Sequence, residues 1–150
     1  MPIASSDLVF YKSSNSASDG GTIDTARPLS GTLNELFDDV VVPAAGSTTT
    51  YRKVFIKNNH GSLALQNAAL FFDVANGTYE SLDVALGTSS DTDGSALTYN
   101  HPTSRASSTV TIASLAAGGS QGVWLKRIVQ SQASAVNKTY NVSISGDTAA

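Results

Sequence analysis

The 150-residue chain has no cysteine, which excludes a disulfide framework, a thiolate metal site and a cysteine nucleophile, and leaves the redox compartment open. Charged residues are scarce, at 14%, and the net charge of -3 is mild. That balance argues against general nucleic-acid binding, which needs many cations to neutralise phosphates. No segment approaches the roughly 20 apolar residues of a membrane-spanning helix. Met1-Pro2-Ile3-Ala4-Ser5-Ser6-Asp7 lacks the basic start and apolar stretch of a signal peptide, so a soluble, unexported chain is expected. The length is that of one domain, with room for a sizeable core.

What the chain does have is alternation. Tyr51-Arg52-Lys53-Val54-Phe55-Ile56-Lys57-Asn58 is β-branched and aromatic, and turn residues flank it on both sides. Side chains alternate across a strand, so Arg52, Val54 and Ile56 share one face and Tyr51, Lys53, Phe55 and Lys57 the other. Val54 and Ile56 are the expected core pair, each worth about 1.5–3 kcal/mol when buried. Further strands are expected at Leu8–Tyr11 (as an edge), 63–74 (one bent or two short), Leu82–Leu86, Thr109–Ile112, Gly122–Val129 and Thr139–Ser145. In the 63–74 stretch, Leu70, Phe72 and Val74 are expected on the inner side.

One helical signature interrupts this. Leu33, Leu36, Phe37 and Val40 recur at helical spacing and Thr32 with Glu35 matches a capping box, predicting a short helix over 32–40. Residues 1–31 read as an extended arm, loop by composition after Tyr11, that can be ordered only by docking. The remaining 32–150 form the domain. About seven closely spaced strands with glycine-rich turns fit an all-β antiparallel sandwich of immunoglobulin-like type, with a jelly roll as the alternative.

The chemical motifs are weak. Gly118-Gly119-Ser120-Gln121-Gly122 matches a nucleophile-elbow string, but that mechanism needs a strand-to-helix turn, and here a strand follows. The two histidines, His60 and His101, stand in loops without metal-pair spacing and are read as exposed loop residues. Asp91-Thr92-Asp93-Gly94 opens like a calcium loop but lacks the later ligands, so a solvated acidic turn is expected. Asp38 and Asp39 are adjacent, so on a helix they do not form an acid/base pair. Three Asn-X-Ser/Thr sequons, at Asn76, Asn137 and Asn141, matter only in a secreted eukaryotic protein. No motif makes an enzyme, and no metal or cofactor is expected.

The face opposite the core is the remaining candidate. With Val54, Ile56, Val123 and Leu125 inward, Tyr51, Phe55, Trp124 and Ile128 point outward among Lys53, Lys57 and Lys126. Aromatics interleaved with cations are common in binding surfaces. Intramolecular cover by the arm or the helix stands beside a partner interface as an equal reading. A register slip of one residue would reverse both faces.

The chain resembles a family of small virion structural proteins of tailed bacteriophages, similar in style to capsid decoration (cement) proteins. The residues that carry the likeness are Leu8-Val9-Phe10-Tyr11-Lys12-Ser13, Asn34-Glu35-Leu36-Phe37-Asp38-Asp39-Val40 and the Tyr51–Asn58 run. Leu115-Ala116-Ala117-Gly118-Gly119-Ser120, Val123-Trp124-Leu125-Lys126-Arg127 and Ser145-Gly146-Asp147 complete it. The resemblance implies no active site. It implies docking on the major capsid protein or another virion part, self-association (a trimer favoured), and residence on the capsid surface after synthesis in the host cytoplasm. Nucleic acid and membrane are not expected partners. The candidate partner-binding residues are then Tyr51, Lys53, Phe55, Lys57, Trp124, Lys126 and Ile128, joined by Phe10 and Tyr11 of the arm. A tail or baseplate accessory domain is the alternative, with Trp124, Tyr51 and Tyr140 stacking on host glycans.

Overall fold

The computed structural model describes residues 1–31, 35–38, 41–133 and 139–148. After a single 3-10 turn at Ser5–Asp7 the described chain forms eight strands. They are β1 (Leu8–Ser13), β2 (Ile23–Pro28), β3 (Ser47–Asn58), β4 (Leu65–Phe72), β5 (Glu80–Leu86), β6 (Thr111–Leu115), β7 (Ser120–Gln130) and β8 (Val142–Thr148). All pairings between them are antiparallel, in a five-stranded sheet of order β2-β1-β3-β7-β5 and a three-stranded sheet of order β6-β4-β8. The two sheets pack as an all-β sandwich.

β3 and β7 are the long central ribbon, paired from Ser47↔Gln130 to Lys57↔Ser120. Their β-branched and aromatic content suits a strand with both faces covered. Val54, Ile56, Val123 and Leu125 point inward with Leu82 and Val84 of β5, against Leu65, Ala68, Leu70 and Phe72 of β4 and Ile112 of β6. Phe10, Val142 and Ile144 pack against the margin of this cluster. Val54, Ile56, Val123, Leu125, Leu70 and Phe72, expected inward from alternation, are inward.

Four expectations need correction. The predicted helix over 32–40 lies partly outside the described residues, and its described part, 35–38, runs through bends with no helical turn. Leu36 and Phe37 still reach the core, and Phe37 lies between two guanidinium groups, 5.6 Å from Arg52 and 4.8 Å from Arg127. Arg52 Nε–H donates to Leu36 O at 3.1 Å and Arg127 donates to Asp38 O at 2.7 Å. Those contacts suit an open segment plugging the end of the sandwich, where backbone carbonyls remain free to accept.

The stretch expected to be loop after Tyr11 contains β2, held beside β1 across a bulge. Residues 1–31 thus contribute two strands to the larger sheet. Arg27 of β2 fastens the intervening 14–22 loop, pairing with Asp24 at 2.7 Å and donating to Asn15 O at 2.9 Å. The 63–74 stretch is one strand with a bulge near Asn67, whose φ is 48°, and it ends at Phe72. Val74 lies beyond it and is 37% exposed, whereas Phe72 is fully buried. His101, expected to be exposed, lies flat on Phe72 with ring centroids 4.2 Å apart, its nitrogens facing Leu82 O and Val74 O.

Candidate functional site

The middle of the outer face of β3 and β7 is covered by the chain itself. Lys53, Phe55 and Trp124 are 0%, 1% and 1% exposed. At these three residues the cover observed is intramolecular, and it closes their side chains to a partner. The cover consists of the 14–22 loop and the 87–99 loop. Neither contains a periodic apolar pattern, and both dock largely through backbone groups.

Ser18 lies where β1 leaves the sheet and takes over the edge of β3. Its carbonyl accepts from Lys53 N–H at 2.6 Å and its hydroxyl donates to Lys53 O at 2.7 Å. A φ of 55° at Ser18 turns the loop inward at that point. The 87–99 loop then closes over Trp124. Two glycines make the approach possible: a Cβ on Gly122 would meet Thr88 O at 2.4 Å, and one on Gly94 would meet the Trp124 ring at 2.5 Å.

At the centre of the covered face stands the Lys53 ammonium. It donates to Gly21 O at 2.8 Å and Asp91 O at 3.0 Å, and it pairs with the Asp91 carboxylate. The rings of Phe55 and Trp124 lie 4.8 and 5.8 Å from Nζ. Asp91 Oδ2 accepts from Trp124 Nε1–H and from Thr88 N–H, both at 3.1 Å. Burial works against the Asp91 charge, but the hydrogen bonds from Lys53, Thr88 and Trp124 outweigh it and hold the carboxyl below its ordinary range. Asp91 therefore turns inward, contrary to the solvated turn expected of Asp91–Gly94. Burial also pushes the neighbouring Tyr99 phenol well up, and that hydroxyl donates to Gly94 O at 2.8 Å.

The other candidates divide between two ends of this face. Tyr51, Lys126 and Ile128 are half-buried at one end, with Tyr51 5.9 Å from Tyr99 and Lys126 Nζ 4.7 Å above the Tyr99 ring. Tyr79, missed from sequence, immediately precedes β5, accepts from Gln130 N–H at 2.8 Å through its carbonyl, and is 44% exposed. An open groove of about 340 Å³ next to Tyr51 is lined by Thr49, Thr50, Asp19, Thr92 and Asp93. Lys57 and Tyr11 lie at the opposite end, where the Tyr11 hydroxyl accepts from Asn59 at 3.2 Å. Phe10 faces inward and packs on the core, so it is not available to a partner in this conformation.

Elsewhere the weak motifs have structural places. Gly118–Gly122 is the turn into β7, and Ser120 opens that strand opposite Lys57. His60 Nδ1 accepts from the backbone N–H groups of Ser62 and Leu63, at 3.1 and 3.0 Å. No group of three or more acidic, histidine or cysteine side chains is placed to hold a metal among the described residues. No helix among them is long and apolar enough to cross a membrane. No protein-family model, curated protein or solved structure matches the chain.

Proposed function

We propose that this chain is a structural protein of a tailed-bacteriophage virion, a capsid decoration (cement) protein that binds the major capsid protein and stabilises the head. The resemblance supplies the class, and the observation that carries the reading is the partly exposed end of the outer face. There half-buried Tyr51 and Lys126 pair across β3 and β7 against the Tyr99 ring, with half-buried Ile128 further along β7 and exposed Tyr79 just before β5. Rigid aromatic area beside a cation suits an adhesive patch. The groove beside Tyr51 is lined mainly by small polar and acidic residues, Thr49, Thr50, Asp19, Thr92 and Asp93. The reading includes self-association, as trimers on local symmetry axes of the shell.

The glycan-contacting alternative has less to rest on. Trp124 is buried, and Tyr140 packs edge-on against Phe72 and His101, which leaves Tyr51 alone of the three rings. The test is side-chain-resolution imaging of purified, DNA-filled particles, with density for this sandwich expected on the head. Its absence from the particles ends the proposal, and density on the tail or baseplate replaces it with the alternative. Rebinding of Ile128→Asp protein to particles stripped of it should fail while its circular dichroism stays native. Light scattering at high concentration checks the trimer.

A further inference from the structure

The contents of the covered face point to a covalent event, independent of the proposed virion role. Two N–H bonds of Lys53 are directed at Gly21 O and Asp91 O, and the remaining valence of Nζ faces the Asp91 side chain. The carboxyl is asymmetric. Oδ2 accepts two N–H hydrogen bonds, whereas Oδ1 is buried and faces Nζ alone. Lys53 has no exposure to solvent, and two aromatic rings wall the pair.

We propose that the Lys53 amine and the Asp91 carboxyl condense to an intramolecular isopeptide bond that ties β3 to the 87–99 loop. Oδ1 lies against the ammonium, so the first step is passage of one proton from Nζ to Oδ1 along that contact. The neutral amine then holds its lone pair toward Cγ, with its position already set by the two carbonyl acceptors. As the Nζ–Cγ bond forms, negative charge develops on Oδ2, where Trp124 Nε1–H and Thr88 N–H receive it as an oxyanion hole does. The Cγ–Oδ1 bond breaks, and Oδ1 leaves as water with the transferred proton and one more from Nζ. Of the three ammonium hydrogens two depart in water and one remains on the amide, so atoms and charge balance without a co-reactant. The Asp91 side chain is 20% exposed, which provides the exit.

The product replaces a buried ion pair with a neutral amide and links residues 38 positions apart. Such a tie constrains the unfolded chain in the way a disulfide does, in a protein that has no cysteine. It also clamps the covering loop where the sandwich would otherwise open.

Mass spectrometry of the denatured wild-type protein tests this directly. The expected mass is one water below that of the sequence, and Lys53→Met and Asp91→Ala should both return to the full mass. Trypsin cannot cut after a modified Lys53, so the digest should contain a branched peptide joining 53–57 to 58–105. A succinimide at Asp93-Gly94 would also lose water but gives no branch, so the branched peptide decides. Folded wild-type protein, kept at neutral pH, that shows only the full mass and no branched peptide overturns the proposal. That readout needs no variant to fold.

Discussion

Truncating Trp124 to alanine is the sharpest test of the covered outer face. On an open face this change would leave folding intact and weaken only docking. In the observed structure the indole is 1% exposed, fills the space under Gly94, and donates to Asp91 Oδ2. Removing a buried aromatic of this size costs roughly 3–5 kcal/mol. Loss of the indole N–H adds about 1 kcal/mol, because Oδ2 keeps its bond from Thr88. A domain of this kind has a total stability of about 5–15 kcal/mol, so Trp124→Ala should lose a large share of it at 25 °C. The assay is urea unfolding followed by far-UV circular dichroism, since the variant loses the chain's one tryptophan. With a slope of about 2 kcal/mol/M the midpoint should fall by roughly 2 M. Trp124→Phe, which keeps most of the ring, should fall much less. A Trp124→Ala midpoint within about 0.3 M of wild type, on the same slope, would mean that the loops do not close over the indole.

Three further outcomes are expected. Gly122→Ala puts a methyl 2.4 Å from Thr88 O, a backbone atom that cannot swing aside, and should cost about 1–3 kcal/mol by the same urea titration. Ile56→Asp buries an uncompensated charge in a fully closed site and should abolish the cooperative unfolding transition in calorimetry. Asp73 accepts from Asn141 N–H and from the Asn141 amide, at 2.9 and 2.8 Å, and these bonds lower its carboxyl below the ordinary range. Its contribution is therefore present above the unfolded value and disappears as pH falls through the folded one, so Asp73→Asn should flatten the midpoint-against-pH curve below about pH 4.

Much of the two-layer body was legible because its cause is local. Alternation in Tyr51–Asn58 and Gly122–Val129 follows from the strand period of two, and it placed Val54, Ile56, Val123 and Leu125 inward. The helix reading of 32–40 relied on spacing that an irregular plug also satisfies, since Leu36 and Phe37 need only reach the core. β2 was hidden because Ile23–Pro28 is a short, half-exposed edge whose partner, β1, supplies the order. Tyr79 carried no signal beyond its type. A lysine between Arg52 and Val54 on a strand bearing Phe55 did offer a clue, for a buried ammonium requires a carboxylate and Asp91 stands in a glycine-flanked loop.

Alternation alone put Lys53 and Phe55 on one face of their strand, and Trp124 on the face of its own strand opposite to Val123 and Leu125. The register that sets Trp124 beside Lys53 came with the pairing of β3 and β7. Whether that face met water or the chain itself was decided only in three dimensions. The loops that cover it bind through the carbonyls of Ser18, Gly21 and Asp91, which every residue type possesses and no composition reveals. Backbone groups brought together from distant positions turned an apparent adhesive surface into a second, polar-centred interior.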